Sequence, residues 1–388
     1  MDSSRTPRPV RPAVHYLSDP GFSGHAVAGR RLMIGLQRIG CAVAHTPLQW
    51  CSRHPLFPSC RTAEARPTIP HPRGSTTEVM IVHATPEFLP ALEHLVPPGV
   101  PLVLHTAWEF EQLPRDWPGL INRAEAVIVP TRWNADAFAA AGVRIPILVV
   151  PHAHAQGIES AQTEWLDGLC PPDQLMLHSI AGWHPRKRPD VTLEAYARAF
   201  GPRDSTTMIL RTTEEVEQAP GMPWPTRRSS RTSWLIADLM HRHAPAPRLN
   251  VITEVLSFEQ IAGMHRRSGC WVSLPHAEGW DMGCFDAAVA GCPVVTTAHG
   301  APLEYLDPDS SYLVPGRLVD SDYHRGGKWA VPDLDTAIDL LRVIHADPEA
   351  AAARAADQAV RLQAKYEASR VATGLVDQLH ARGLVDAR

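Results

Sequence analysis

Short β-branched apolar runs recur along the chain and are separated by stretches with helical spacing. In the first half they fall at 13–17, 41–46, 78–82, 102–105, 126–129 and 146–150. In the second half they fall at 175–180, 207–211, 250–253, 270–274, 293–296 and 312–314. Runs of this length with no polar alternation predict strands buried on both faces. The intervening segments 25–38, 132–141, 189–200, 258–267 and 282–290 carry apolar residues at helical spacing and predict helices. Alternation of strand and helix means a parallel, doubly wound sheet. Two such series predict two Rossmann-like α/β domains facing across a cleft, with a break inside 151–174, where Pro and Gly interrupt any period. The expected boundaries are 11–160 for the first domain, 161–369 for the second, and a terminal helix over 370–388 that crosses back to the first. The tail from Asp335 on is Ala-rich and helical in pattern. Two long polar segments, 53–75 and 219–230, read as loops of lid type.

Composition narrows the function. The 388 residues include 44% hydrophobic and 20% charged, with a net charge of −4, so the chain is globular and lacks the basic field that a nucleic-acid binder needs. No segment has the ~18 apolar residues of a membrane span, and no apolar stretch follows the basic, Pro-rich start in the way a secretory signal requires. Arg30, Arg31 and Arg38 lie on one predicted helix and read as a solvated face rather than a contact with anionic lipid. The seven cysteines are odd in number and form no C-x-x-C pair, so reduced thiols and a cytoplasmic setting are expected. His152 and His154 have no further ligand at a sensible spacing, so no metal site is read there. Only three lysines occur, Lys187, Lys328 and Lys365, which draws attention to Lys187.

Ligands of doubly wound sheets bind at the carboxyl ends of strands. The segment from Ser273 to Gly300 reads strand, loop, helix, glycine stop, strand. Glu278 falls in the loop and Asp286 one turn into the helix, while the amides of Asp281, Met282, Gly283 and Cys284 open that helix. A helix start favours an anion, and carboxylates accept from vicinal hydroxyls. One segment therefore suits a sugar at one end, a diphosphate in the middle and a ribose at the other.

This segment resembles the E-x7-E signature of retaining GT-B glycosyltransferases of family 4. By that resemblance, Glu278 contacts donor-sugar hydroxyls, Asp286 the ribose, and the amides of 281–284 the sugar or diphosphate. A second match is Ala181-Gly-Trp-His-Pro-Arg186-Lys187-Arg188-Pro189, similar to the R-K-N-P element whose Lys neutralises the leaving diphosphate; Lys187 takes that part and Arg186 assists. A cation there meets charge that grows as the glycosidic bond breaks. A third match joins His105-Thr-Ala-Trp108-Glu109 to Val149-Val-Pro151-His152 and puts His105 near the donor sugar and acceptor. A fourth is the Asp19-Pro-Gly21-Phe-Ser-Gly24-His25 loop, whose glycines let backbone approach the donor phosphate. His25, Glu304 and Arg211 are further candidates. The resemblance covers nearly the whole chain. It implies transfer from a nucleotide-diphosphate sugar, most simply a UDP-sugar, to an unidentified small-molecule or glycan acceptor, with retention and no cofactor or metal. The uracil contacts would follow 251–253.

Three positions depart from the pattern. Asp286 replaces Glu and loses about 1.5 Å of reach. Asp281 stands where Gly is usual, beside the expected diphosphate. Ala181 stands where a second cation is frequent, a place Arg211 could fill. Two other readings stay open: a GT-B sugar-nucleotide epimerase, and a non-catalytic sugar-nucleotide binder.

Overall fold

The structure is a computed structural model that describes residues 11–51, 59–61, 76–154, 161–214, 231–324 and 326–386. The segments expected as lids lie outside the described residues, apart from 59–61, which form a short strand. Two compact units are present. Among the described residues, the first takes those up to Trp108, Gln112–Ala153 and those from Tyr366 on; the second takes Glu109–Glu111 and the stretch from His154 to Lys365.

In the first unit the strands are β1 (Ala13–Ser18), β2 (Ala42–Pro47), β3 (Gln49–Cys51), β4 (Ser59–Arg61), β5 (Val79–His83), β6 (Leu102–His105), β7 (Ala126–Val129) and β8 (Ile147–Val149). Six of them form a sheet in the order β2-β1-β5-β6-β7-β8, with every neighbouring pair parallel. β3 and β4 form a separate antiparallel pair. Helices α1 (Gly24–Arg38), α2 (Leu89–Leu92), α3 (Trp117–Ile121) and α4 (Arg132–Ala140) fill the connections. α1 starts at Ser23, whose hydroxyl accepts from Ala26 N at 3.1 Å. α4 starts at Thr131, which accepts from Asn134 N at 3.0 Å. Both hydroxyls satisfy amides that the helix itself leaves unpaired.

The second unit repeats the plan with β9 (Leu175–Ile180), β10 (Thr206–Arg211), β11 (Arg248–Ile252), β12 (Cys270–Ser273), β13 (Val294–Thr297) and β14 (Tyr312–Val314). Their order is β11-β10-β9-β12-β13-β14, again parallel throughout. Helices α5 (Pro189–Ala199), α6 (Thr232–Arg242), α7 (Phe258–Arg267) and α8 (Met282–Val289) flank it. A hairpin of β15 (Gly316–Asp320) and β16 (Lys328–Pro332) follows, then α9 (Leu334–Ala346) and α10 (Pro348–Lys365). The last helix, α11 (Ala368–Ala381), returns to the first unit and lies against α1. This is the two-fold Rossmann-like α/β plan expected from the strand pattern. Strand ends differ from expectation by one or two residues, which is ordinary fraying.

The two sheets differ in where their strand order reverses. In the first unit, the reversal lies between β1 and β5; in the second, between β9 and β12. Loops leaving the carboxyl ends of those strands are where such sheets take ligands. Among the described residues no helix is long and apolar enough to cross a membrane. The five described cysteine side chains are free and buried.

Candidate functional site

At the reversal in the second unit, the loop after β9 carries 181–188 and the loop after β12 carries 274–281. The first is a tight turn, with Lys187 N and Arg188 N both donating to His184 O at 3.0 and 3.1 Å. It ends on Arg188 in left-handed backbone (φ 45), which leads into Pro189 as first residue of α5. The second loop ends on Asp281, also left-handed (φ 63), directly before α8. Such backbone costs a non-glycine residue on the order of 1–3 kcal/mol and persists only where its surroundings hold it. Asp190 grips the Arg188 guanidinium with both oxygens, at 2.9 and 2.7 Å. The Tyr305 hydroxyl lies 2.8 Å from Trp280 O and 3.2 Å from Asp281 O. Asp281 itself caps α8, accepting from Cys284 N at 3.1 Å.

The two loops are tied through Arg186. Its guanidinium donates to Glu278 at 2.7 Å, to Ala277 O at 2.8 Å, and pairs with Glu109 at 3.1 Å. Its backbone carbonyl accepts from His276 N at 2.8 Å. Burial opposes the Arg186 charge, but Glu109 and Glu278 outweigh it and raise the pKa. Burial would push the Glu278 carboxyl up; Arg186 and then Lys187 outweigh that and hold it below its ordinary value. Asp281 behaves oppositely. Burial and the nearby Glu278 charge push it up to about 7, against the pull of Lys187 and the Cys284 amide. His184 is pushed down to about 4 by burial, Arg186 and Lys187. Lys187 is half-buried and makes no hydrogen bond or ion pair through its ammonium among the described residues. Its charge nevertheless acts on both Glu278 and Asp281. A cation thus stands near a helix start where Met282 and Gly283 amides lack an acceptor within the helix. That combination suits an anion.

The structure brings Arg186, Lys187, Glu278, Asp281, Met282, Gly283 and Cys284 to one strand-end region. Cys284 is buried and its amide is already taken by Asp281. Gly283 has a packing reason as well: a Cβ there would stand 2.4 Å from the ring of buried Trp271. Asp286 is half-buried in α8. Glu304 is exposed at the end of a short 3-10 turn, 301–304. Arg211 ends β10, and its backbone carbonyl accepts from Ala181 N at 3.0 Å. Its side chain donates from Nε to Glu254 O at 3.4 Å.

The remaining candidates belong to the first unit. Gly21 and Gly24 flank a loop closed by Asp19, which accepts from Gly21 N at 2.8 Å and Ser23 Oγ at 2.7 Å. His105 ends β6 beside His83 at the end of β5, and His25 stacks on His83 with centroids 5.1 Å apart. The sequence alone assigns no part to Glu109, Arg188, Tyr305, Tyr16 or His83. Glu109 sits within the H-T-x-W-E match, so a carboxylate there is visible in the sequence; its place on Arg186 is not. Among the described residues no cluster of three or more His, Cys, Asp or Glu side chains is arranged to hold a metal.

No protein-family model matches the chain, and no curated protein matches it in sequence. Solved structures do match in fold. Anabaena HepE in complex with UDP and glucose is 13% identical, with a TM-score of 0.64 over 95% of this chain and 100% of that one. Sucrose-phosphate synthase from Thermosynechococcus elongatus is 14% identical, with a TM-score of 0.68 over 95% of this chain and 98% of that one. A UDP-forming α,α-trehalose-phosphate synthase from Burkholderia vietnamiensis is 12% identical, with a TM-score of 0.64 over 96% of this chain and 99% of that one. The chain therefore has the GT-B fold.

Proposed function

We propose that the protein is a glycosyltransferase that moves a sugar from a UDP-sugar to a hydroxyl-bearing acceptor, with retention and without a metal. The observation that carries this reading is the convergence of Arg186, Lys187, Glu278 and the start of α8 at the strand reversal of the second unit, in a fold shared with proteins such as HepE. In this reading the second unit holds the donor. Lys187 and the amides of Met282 and Gly283 receive the diphosphate, whose charge rises as the glycosidic bond breaks. Glu278, kept ionised by Arg186, accepts from sugar hydroxyls. Arg186 reaches a phosphate only when Glu109 yields its place. Asp286 lies toward the ribose, with a bridging water making up the lost methylene. The acceptor hydroxyl attacks from the face the diphosphate leaves, and a leaving phosphate oxygen takes its proton. No side chain is then needed as covalent nucleophile.

Thermal unfolding against UDP, GDP, dTDP, ADP and no ligand tests this directly. A ligand that binds only the folded state stabilises it by about 2.7 kcal/mol at a hundredfold excess over Kd. The expected result is a selective rise with UDP that Lys187→Ala abolishes. UDP-sugar turnover to UDP without an added acceptor then separates a transferase from a binder that shows none. No rise with any diphosphate would sink the donor assignment.

A further inference from the structure

Tyr16, His83 and His105 lie at or near the carboxyl ends of β1, β5 and β6, beside the strand reversal of the first unit, and all are buried. The Tyr16 hydroxyl is 3.0 Å from His83 Nδ1 and 2.8 Å from His105 Nδ1. The two imidazoles are stacked, with centroids 3.8 Å apart and planes 7° from parallel. α1 closes over them at Gly29, where a Cβ would lie 3.0 Å from His83 Nδ1 and 3.1 Å from the Tyr16 ring.

A phenol has one proton to give, and a neutral imidazole has one proton on one nitrogen. Both Nδ1 contacts are hydrogen bonds only if Tyr16 donates to one ring and accepts from the other. The rings must therefore hold opposite tautomers. His105 Nε2 is buried without a hydrogen-bond partner among the described residues. An orphaned buried N–H is rarer than an unfilled acceptor, which puts the His105 proton on Nδ1. We propose that Tyr16 is a positioning residue that accepts from His105 Nδ1–H and donates to His83 Nδ1, so that His105 Nε2 presents a bare lone pair and His83 Nε2 carries the proton. Both rings stay neutral at pH 7. Burial holds His105 down to about 3 and His83 well below its ordinary value, and His25 and His152 add only like charge.

The tautomer decides what His105 can bind: a group that donates, such as a hydroxyl, and not a carboxylate or phosphate. Naming that group as the acceptor hydroxyl rests on the glycosyl-transfer reading; the tautomers do not. The test uses the free protein labelled with 15N-histidine, two-bond proton–nitrogen correlation at pH 7, and ring assignment by His83→Gln and His105→Gln. The expected spectrum has His105 protonated on Nδ1 and His83 on Nε2. In Tyr16→Phe, His105 moves to the Nε2-protonated form that free histidine prefers. The same tautomer in both wild-type rings, a charged ring, or an unmoved His105 in Tyr16→Phe overturns the proposal. Should Tyr16→Phe not fold, the wild-type spectrum decides alone. No nucleotide enters the measurement, so the tautomers are decided whether or not the donor reading stands.

Discussion

Asp281 combines left-handed backbone, a capping bond to Cys284 N and a carboxyl pushed up to about 7. The unfolded chain releases this proton near the ordinary carboxylate value, about pH 4. Between about pH 4 and 7 the folded protein therefore holds more protons than the unfolded one, and stability falls as pH rises through that window. Asn carries no proton to release, accepts from the Cys284 amide as an N-cap, and tolerates positive φ better than most residues. Asp281→Asn should match the native protein near pH 4 and exceed it at pH 8 by up to about 4 kcal/mol. Denaturant unfolding at the two pH values decides this; parallel curves would remove the assignment. The same substitution takes away a charge beside the proposed diphosphate, so UDP affinity should rise at pH 8 and change little at pH 5. That pattern reverses the usual expectation for altering a site residue, and it follows from where the carboxyl is held.

At the level of strands and helices, the packing of α8 on β12 is set by Gly283. A Cβ there would meet the Trp271 ring at 2.4 Å, and that ring is fully buried. Gly283→Ala gains up to ~1 kcal/mol of helix propensity but overpacks a core contact, which costs about 1–3 kcal/mol. A net loss of stability is expected, with weaker UDP binding because the amides of Met282 and Gly283 shift. Gly374→Ala in α11 is the control: nothing lies within 4 Å of its Cβ, so it should stabilise by about 0.4–1 kcal/mol. A similar response from both variants would refute the packing argument. The elements legible in the sequence are those with a simple burial pattern. β12, buried at every position, stands out as an apolar run. The β15–β16 hairpin does not, because β15 is mostly exposed and has no run to detect. α6 buries only Thr232, Ile236 and Leu239 and leaves Trp234 outside, so its stripe is too narrow to read. The tail reads as one helical stretch but breaks at Asp347–Pro348 and at Tyr366–Glu367, where Pro348 and Glu367 open new helices. For the site, Glu278 is legible as a loop carboxylate ahead of a helix start, and Lys187 through the resemblance to the R-K-N-P element. Glu109 on Arg186 joins residues far apart in the chain, and Tyr16 between two histidines depends on which strands lie side by side; no local period carries either.

The whole chain is not two units in series, since residues from Tyr366 on fold into the first. Helix α11 buries Val371, Leu375, Val376 and Leu379, with Val385 just beyond it, in the same core as Val14, Leu32 and Leu36. Its approach to α1 is close enough that a Cβ on Gly35 would stand 2.2 Å from Ala368 O. The exposed Arg38–Glu367 pair at 3.9 Å adds little. Five such side chains at ~1.5–3 kcal/mol each amount to roughly 10 kcal/mol, an upper figure that still rivals a typical domain stability of about 5–15 kcal/mol. A chain ending at Lys365 should therefore leave the first unit without a stable fold. The second unit loses none of its own residues, so under the donor reading it should keep a cooperative transition that UDP raises. Scanning calorimetry of the full and shortened chains, each with and without UDP, measures both. A shortened chain that retains all of the unfolding heat would show that α11 is an accessory to the first core. One that loses every transition would show that the second unit cannot hold its fold once the first has lost its own, and the proposed donor site would then have to be studied only in the whole chain.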